Sequence, residues 1–370
     1  AQTRPAEPAF LFRPAVLQDT ARDFQSAFPG VVSYAVKANP TGVVLDNLLA
    51  AGVTAFDVAS PAEIEAVRRR APGAALHYHN PVRSLSEIAR AREAGVVSWS
   101  VDRPSELAKL QGLPAGTEIA VRLHLDVPGA AYDFGSKFGA PPSQAVALLR
   151  AAVAAGFVPS ITFHPGTQCN DPAPWQHYIR AAAQVARDAG VTLHRLNVGG
   201  GFAVHRTGAP PDLRPVFEGI ARATSGAFDA PPTLVCEPGR AMVAECMTLA
   251  VPVKGVSDRT AFLCDGIYGG LSEWRDLGPS ERVTVVTGDG QTRRGPMALW
   301  TVFGPTCDSL DVLPQGVALP ADLHEGDVIL FACMGAYAQA LVTGFNGYGA
   351  RGVVTVQSGT SNSGQCAHMV

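Results

Sequence analysis

Short apolar runs alternate with longer amphipathic segments from about residue 31 to residue 238 of this 370-residue chain. The apolar runs are VVSYAV, TAFDVA, ALHYHN, SWSVD, EIAVRL, SITFH, RLNVGGG and TLVCEP. The segments between them, such as SLSEIARAREAG, repeat their apolar residues at helical spacing, which is typical of repeated βα units. Such units build an α/β fold, either an open doubly wound sheet or a closed barrel. Eight units favour the closed (β/α)8 barrel of the TIM type.

The pattern of apolar and helix-forming segments changes after Arg240. Strand-like runs such as TAFLCDG, RVTVVTG and DVILFACMG follow one another, divided by Gly and Pro turns and with little helix between them. This pattern predicts a second, all-β domain, to which the PAFLFR segment near the N-terminus adds a further strand. The predicted organisation is a barrel over residues 14–238, a β domain built from residues 1–13 and 239–358, and a flexible tail over residues 359–370.

Charge and cysteine usage exclude several classes of function. The chain has 29 basic and 32 acidic residues, and no basic run is longer than Arg68-Arg69-Arg70, so we expect no nucleic-acid partner. No apolar stretch approaches the roughly 20 residues that cross a bilayer, and the N-terminus lacks the order of a signal peptide, which predicts a cytoplasmic protein without a membrane partner. Seven cysteines without a CxxC pair indicate neither a disulfide framework nor a metal site.

Polar residues gather at the carboxyl ends of the predicted strands, and these ends form the active-site face of a (β/α)8 barrel. They are Lys37, Asp57, Arg122, His164, the glycines 199–201 and Glu237. Lys37 in YAVKANP, taken alone, is most simply a surface lysine. At a barrel face, however, a lysine amine can serve as a covalent anchor or as a base.

The glycines of NVGGGF directly follow a strand, where backbone amides can approach a phosphate closely. The segment lacks the GxGxxG spacing of dinucleotide sites and the GK[ST] of nucleotide loops, which argues against NAD and ATP. Glu237 in CEPGR can hold a heterocyclic ring nitrogen protonated, Arg240 is either a surface charge or a phosphate ligand, and His164 can stack on an aromatic ring. Together with Lys37, these features predict a pyridoxal 5'-phosphate site.

Ten motifs of the chain, in order from residue 34 to residue 348, match those of a known family. They are YAVKANP, FDVASPAEIE, KFG, FHPGTQ, NVGGGF, EPGR, DGIYGG, FGPTCDSLD, MGAYA and FNGY. The chain therefore resembles the fold-type III pyridoxal-phosphate-dependent decarboxylases, which include ornithine, lysine, arginine and diaminopimelate decarboxylases. The resemblance implies an alanine-racemase-like barrel with a second β domain, and a homodimer whose active sites are shared across the interface.

The resemblance also implies roles for individual residues. Lys37 would carry the cofactor as a Schiff base, His164 would stack on its ring, and Glu237 would pair with the pyridine nitrogen. The phosphate would be held by Thr167, Gly200, Gly201, Gly239, Arg240 and Tyr337. The cofactor cavity would be lined by Asp57, Glu63 and Arg122.

Cys307 and Asp308 match the pair that acts on the substrate in this family. Cys307, contributed by the partner subunit, would return a proton to the carbanion after carbon dioxide leaves. Asp308 would meet the distal amino group of a diamino acid, with Asp276 as a second acid and Tyr337 beside them. The Cys-Asp pair is similar to that of the ornithine/lysine branch, so the resemblance implies decarboxylation of a basic amino acid to its diamine, with ornithine and lysine as first candidates.

Departures from the family pattern leave other substrates and functions open. The segment before Asp276 is one residue short, Pro165 stands where valine is usual, and Arg275 could accept a carboxylate, which would suit an atypical, D-configured or diacid substrate such as diaminopimelate. A racemase of the same barrel family pairs the ring nitrogen with arginine, so Glu237 argues against it. A catalytically inactive regulatory homologue would have lost cofactor ligands that this chain keeps. A cofactor-independent barrel that binds a phosphorylated metabolite leaves the Cys-Asp pair unexplained.

Overall fold

The computed structural model describes residues 7–125 and 137–356. The described residues divide into two compact units. The barrel unit comprises Thr20–Ala203 and Pro211–Met242, and the β unit comprises the residues up to Asp19, Val204–Pro210 and those from Val243 onward. The domain boundaries drawn from the sequence stay predictions, because compactness does not show that a unit folds alone. The predicted tail lies outside the described residues.

Strands and helices alternate through the barrel unit, and strands dominate the β unit. In chain order the described strands are β1 (Ala9–Phe12), β2 (Val31–Ala35), β3 (Ala55–Val58), β4 (Ala75–Tyr78), β5 (Ser98–Val101), β6 (Glu118–Arg122), β7 (Val158–Thr162), β8 (Arg195–Asn197), β9 (Thr233–Cys236), β10 (Met247–Ser257), β11 (Thr260–Leu263), β12 (Val283–Val286), β13 (Met297–Phe303), β14 (Val317–Pro320), β15 (Val328–Phe331) and β16 (Gly352–Thr355). The described α-helices are α1 (Pro14–Ala27), α2 (Gly42–Ala50), α3 (Pro61–Arg68), α4 (Leu85–Glu93), α5 (Pro104–Lys109), α6 (Pro142–Ala154), α7 (Ala173–Ala189), α8 (Arg214–Ala227), α9 (Arg240–Val243) and α10 (Ser272–Leu277).

Strands β2 to β9 form a closed barrel in which each strand pairs with the next. The ring closes where β9 returns to β2, with Val31 opposite Val235 and Val32 opposite Cys236. The eight apolar runs of the sequence are these eight strands, so the predicted (β/α)8 fold is confirmed and the open doubly wound sheet is excluded. Most strand residues are buried, as expected of parallel strands that helices cover.

The helices around the barrel begin and end at residues suited to those positions. Ser60 caps α3 by accepting a hydrogen bond from the amide of Glu63, and Ser84 forms a capping box with Glu87 at the start of α4. Gly190 ends α7 in the left-handed conformation, with φ of 71°. Aromatic rings on and near α1, α7 and α8 pack edge-on or stacked against one another on the outside of the barrel. They are Phe24, Phe28, Trp175, Phe202 and Phe217.

The β unit contains one eight-stranded sheet. Its main path runs β12-β15-β10-β11-β13-β14, and β1 pairs with both β10 and β16. The strand predicted in PAFLFR is β1, which runs antiparallel to β10 and parallel to β16. The predicted β-rich second part of the fold is therefore confirmed. Among the described residues, none of the helices is both long and apolar enough to span a bilayer.

Arg83 is a buried charge that ties the ends of two barrel strands together. It is 2% exposed, and its guanidinium donates hydrogen bonds to the carbonyls of Tyr78, Asn80 and Ser100 at 3.1, 2.6 and 2.6 Å. The group also lies over the rings of Tyr78 and Trp99, at 5.2 and 5.5 Å from their centroids. Burial lowers the pKa of Arg83 to about 10, so the side chain stays protonated at neutral pH.

Replacing Arg83 by methionine is expected to lower the free energy of unfolding by about 3 kcal/mol, because two buried carbonyls and one part-buried carbonyl lose their donor. Arg69→Met is the matched control, since Arg69 is exposed and pairs with the exposed Glu65, and its expected effect is within about 0.5 kcal/mol. Urea unfolding followed by circular dichroism measures both. Equal effects of the two substitutions would contradict the structural role of Arg83.

Candidate active site

Lys37 lies in a 3-10 turn directly after β2 and contacts Asp57, the third residue of β3. Its Nζ donates a hydrogen bond to Asp57 Oδ2 at 2.9 Å, and the two side chains are 44% and 3% exposed. Burial and the neighbouring Glu237 raise the pKa of Asp57, and Lys37 opposes this only in part. The lysine that ends this apolar run is therefore held by a buried carboxylate and is not a freely solvated surface lysine.

Glu237 directly follows β9 and is 8% exposed. Its Oε1 accepts hydrogen bonds from His79 Nδ1 at 2.5 Å and from Asn197 Nδ2 at 2.6 Å. Burial would raise its pKa, but the charge and hydrogen bond of His79, the charge of Lys37 and the Asn197 amide hold that pKa well below the usual range. The barrel thus contains a carboxylate that is both buried and ionised.

His164 lies two residues beyond β7. Its Nδ1 accepts a hydrogen bond from the amide of Gly166 at 3.3 Å, which places the ring proton on Nε2. Burial and the positive charges of Arg122 and Lys37 lower the pKa of His164 to about 3. The imidazole is therefore neutral at physiological pH, so it can stack on an aromatic ring without burying a charge.

The glycine loop after β8 packs backbone against backbone. Gly199 and Gly201 have φ of 67° and 89°, a conformation that favours glycine. A Cβ added to Gly200 would lie 2.7 Å from the carbonyl oxygen of Glu237, and one added to Gly201 would lie 2.6 Å from that of Gly166. Because no side chain fits here, the backbone amides of the loop can be approached closely by an anion such as phosphate.

The other predicted cofactor residues of the barrel unit also follow its strands. Arg122 ends β6, with its guanidinium 5.3 Å from the ring centroid of Phe138, and burial lowers its pKa. Thr167 lies in the loop after β7, and Gly239 and Arg240 lie between β9 and α9 or at the start of that helix. Their contacts with a phosphate stay predictions.

The predicted residues of the β unit make local contacts within that unit. Cys307 is exposed, and its amide donates to Asn346 Oδ1 at 3.1 Å. Asp308 Oδ2 accepts a hydrogen bond from the Tyr268 hydroxyl at 2.6 Å, and this bond lowers the pKa of Asp308. The thiol and the ionised carboxylate therefore stand next to each other on one surface loop.

Asp276, predicted as a second substrate acid, lies in α10 beside Arg275. Two hydrogen bonds of 2.7 and 3.2 Å join the guanidinium of Arg275 to this carboxylate, and both side chains are exposed. A substrate ammonium would have to compete with that arginine for Asp276. Tyr337, also in the β unit, adopts a positive φ of 59°; its roles toward phosphate and substrate stay predictions.

Sequence reasoning missed three residues that contact predicted ones, and a fourth that contacts one of those three. His79 and Asn197 hold Glu237, Ser98 contacts the far nitrogen of His79 at 2.9 Å, and Tyr268 holds Asp308. His79 directly follows β4 and Asn197 ends β8, so the strand-end rule that selected Lys37 would have selected both. Tyr268 lies inside the DGIYGG motif, which marked this segment as relevant. Nothing in the sequence indicated that Tyr268 would contact Asp308.

Asp57, His79 and Glu237 also offer three ligand atoms within 4.8 Å of one another, a spacing that could hold a metal ion. The chain supplies its own partners to both acids of this group, because the Lys37 ammonium binds Asp57 and the His79 ring binds Glu237. An ammonium already at one carboxylate disfavours a second cation nearby. The arrangement is therefore accounted for as a pair of compensated buried acids.

Comparison with known proteins decides the family of this chain. Residues 15–244 match the family model of the pyridoxal-dependent decarboxylase, pyridoxal binding domain. The chain belongs to this family of pyridoxal-dependent decarboxylases. Decarboxylase flvG of Aspergillus flavus is 33% identical over 336 residues, covering 85% of this chain and 77% of the relative. The lysine/ornithine decarboxylase of Selenomonas ruminantium is 34% identical over 328 residues, covering 86% and 81%.

Solved structures agree with this family and with the whole fold of the decarboxylase. The lysine/ornithine decarboxylase of Vibrio vulnificus complexed with cadaverine is 28% identical, with a TM-score of 0.84 and 95% of each chain covered. The arginine decarboxylase of Paramecium bursaria Chlorella virus is 27% identical, with the same TM-score and coverages of 95% and 96%. Both the barrel and the β-rich part are shared by these structures.

The cofactor of this decarboxylase family is pyridoxal phosphate, and the side chains at the barrel face fit it. Lys37 supplies a primary amine, Glu237 an ionised carboxylate for a protonated ring nitrogen, and His164 a neutral flat ring. The loop at Gly200 carries no side chain, so a phosphate group can approach its backbone amides. Each of these groups matches one chemical part of the cofactor: its aldehyde, pyridine nitrogen, ring face and phosphate.

Gly200→Ala is expected to weaken the binding of pyridoxal phosphate by about tenfold or more, because the new Cβ forces the loop away from the Glu237 carbonyl. Gly226→Ala is the matched control, since a Cβ at this position in α8 meets no atom within 4 Å. Titration of cofactor-free protein with pyridoxal phosphate, followed by fluorescence, gives both affinities. Unchanged affinity in Gly200→Ala would show that the glycine loop does not bind the cofactor.

Proposed function

We propose that this enzyme decarboxylates a basic amino acid, ornithine or lysine first, and that it does so as a homodimer. The observation that carries the proposal is the buried, ionised Glu237 on the same barrel face as the paired Lys37 and Asp57. Relatives support the substrate class: one is named a lysine/ornithine decarboxylase, and structures of the Vibrio vulnificus enzyme are complexed with cadaverine or putrescine.

Bound pyridoxal phosphate would supply an electron sink, because its ring can accept the electron pair of the bond that breaks when carbon dioxide is released. Lys37 Nζ must lose a proton before it can act as a nucleophile, and Asp57 Oδ2, 2.9 Å away, can take it because burial raises the pKa of that carboxyl. Glu237 stays ionised and can only accept a hydrogen bond from the ring nitrogen. His164, a neutral imidazole, would lie against the ring face of the cofactor.

Cys307 is proposed as the group that returns a proton to the α carbon. Its exposed position in the β unit suits a thiol that acts on a neighbouring chain. In a homodimer, Cys307 of the partner subunit would complete the site built around Lys37. An exposed thiol beside ionised Asp308 is otherwise an unusual pair for a surface loop, since exposed free cysteines are prone to oxidation.

Asp308 is proposed to bind the distal ammonium of the substrate. Its pKa is lowered by the Tyr268 hydroxyl, so it is ionised at neutral pH and attracts a cation. Asp276 is a weaker candidate for this role, because Arg275 already neutralises it. If the substrate is instead a diacid such as diaminopimelate, Arg275 offers a guanidinium for the second carboxylate, and this observation supports the alternative.

Two other functions fit the structure less well. A racemase avoids a fully developed carbanion, whereas an ionised Glu237 favours a protonated ring nitrogen and a strong electron sink. An inactive regulatory homologue does not need the Lys37-Asp57 pair or the glycine loop.

A cytoplasmic location is proposed because the described cysteines are free thiols, which suits a reducing compartment.

The substrate is tested by incubating the enzyme with L- and D-ornithine, L- and D-lysine, arginine and meso-diaminopimelate and identifying the products by mass spectrometry. We expect putrescine from L-ornithine or cadaverine from L-lysine, with release of carbon dioxide, and no diamine from Lys37→Ala. Lysine formed from meso-diaminopimelate would identify the diacid as substrate. Inversion of configuration without carbon dioxide would identify a racemase.

The shared site is tested by mixing two inactive variants, Lys37→Ala and Cys307→Ala. Random exchange of subunits makes half of the dimers mixed, each with one intact site of two, so about a quarter of the wild-type activity is expected to return. Differently tagged subunits, purified over both tags, show that mixed dimers have formed. Mixed dimers without activity would place Lys37 and Cys307 of one active site on the same chain.

A further inference from the structure

His79 is a buried imidazole that the proposed chemistry does not use. It follows β4 directly, is 7% exposed, and contacts Glu237, Ser98 and Asn197, whose Nδ2 lies 2.9 Å from its Nδ1. Its Nδ1 is 2.5 Å from Glu237 Oε1, and its Nε2 is 2.9 Å from Ser98 Oγ. A ring so placed can influence the acid that faces the cofactor without touching the cofactor itself.

The hydrogen bonds around Glu237 determine where the proton lies. The amide of Gly199 donates to Asn197 Oδ1 at 2.9 Å, so Asn197 must turn its NH2 toward Glu237. A nitrogen and an oxygen 2.5 Å apart need a proton between them, because two lone pairs at that distance repel. Asn197 already donates to Oε1, and therefore His79 Nδ1-H is the second donor.

The charges that face His79 favour its protonated form. Glu237 on the β9 side, Asp57 on β3 and Glu118 on β6 are all acidic, and although burial lowers the pKa of His79, these carboxylates raise it above its ordinary value. The neighbouring His77, 5.8 Å away between ring centroids, has its pKa lowered to about 3 by burial and by His79 and Arg195. Of the two rings, the one that touches Glu237 is the one whose neighbours favour protonation.

We propose that His79 is a positioning residue: its Nδ1-H binds Oε1 of Glu237, keeps the carboxylate ionised and leaves Oε2 for the ring nitrogen of the cofactor. Both observed donors converge on Oε1, and Oε2 takes neither of these bonds. The inference rests on the proposed function only in assigning Glu237 to the ring nitrogen. Decarboxylation of a particular amino acid is not needed for it.

Two amide substitutions at residue 79 separate the two nitrogens of the ring. His79→Asn places an NH2 where Nδ1 stood and can still donate to Glu237, whereas His79→Gln reaches toward Ser98 and leaves Glu237 without that donor. We expect His79→Gln to weaken pyridoxal phosphate binding by about tenfold, and His79→Asn to stay within about threefold of wild type. His177→Gln, the same change on an exposed part of α7, is the control and should leave the affinity unchanged.

A second measurement detects the hydrogen bond itself in cofactor-free protein. Proton NMR is expected to show a low-field resonance from the His79-Glu237 proton, present in wild type and His177→Gln and absent in His79→Gln. This signal, with the affinities, supports the proposal even if none of the amino acids tested as substrates is decarboxylated. Equal affinity of His79→Asn and His79→Gln would overturn it. Stoichiometric uptake of Zn²⁺ by wild-type cofactor-free protein, lost in both variants, would overturn it in favour of a metal site.

Discussion

The pairing of β9 with β2 is the contact on which the arrangement of the barrel depends. It closes the ring, removes the two sheet edges that an open sheet would expose, and brings together the start and the end of the barrel sequence. The amide of Ala35 donates to the carbonyl of Pro238 at 3.2 Å, so the segments that carry Lys37 and Glu237 lie side by side. A site assembled from strand ends in this way needs no contiguous motif, only a closed ring and one polar residue per strand.

Two acids buried close together are each compensated by a different basic residue of the barrel. Glu237 raises the pKa of Asp57 by repulsion, and burial acts to raise the pKa of both carboxyl groups. Lys37 lowers the pKa of Asp57 only in part, whereas His79 lowers the pKa of Glu237 strongly. Asp57 is therefore the weaker acid and Glu237 the stronger. Neighbouring carboxylates with separated acid strengths can take different tasks: the weaker acid can exchange a proton with a lysine, and the stronger one stays charged.

The fold and most strand-end residues could be predicted from the sequence because both follow from the number and positions of the apolar runs. Eight apolar runs define the barrel, and a polar residue after a run lies on its working face. His79 obeyed the same rule and was overlooked, since no familiar motif marks it. The partner of each group could not be predicted: the bond of Asn197 to Glu237 depends on register between strands, and that of Tyr268 to Asp308 depends on turns forty residues apart in the chain.

The position of β1 has a consequence for the order in which the chain becomes structured during synthesis. All eight barrel strands have been made once Cys236 is added, so the ring can close while the later strands do not yet exist. Among the described residues, β1 precedes the barrel strands in sequence but pairs with β10 and β16, which follow them, and the last of these ends at Thr355. β1 is therefore made before the barrel strands but stays unpaired until β10 and then β16 have been made after them, so its four apolar residues stay without a strand partner throughout synthesis of the barrel.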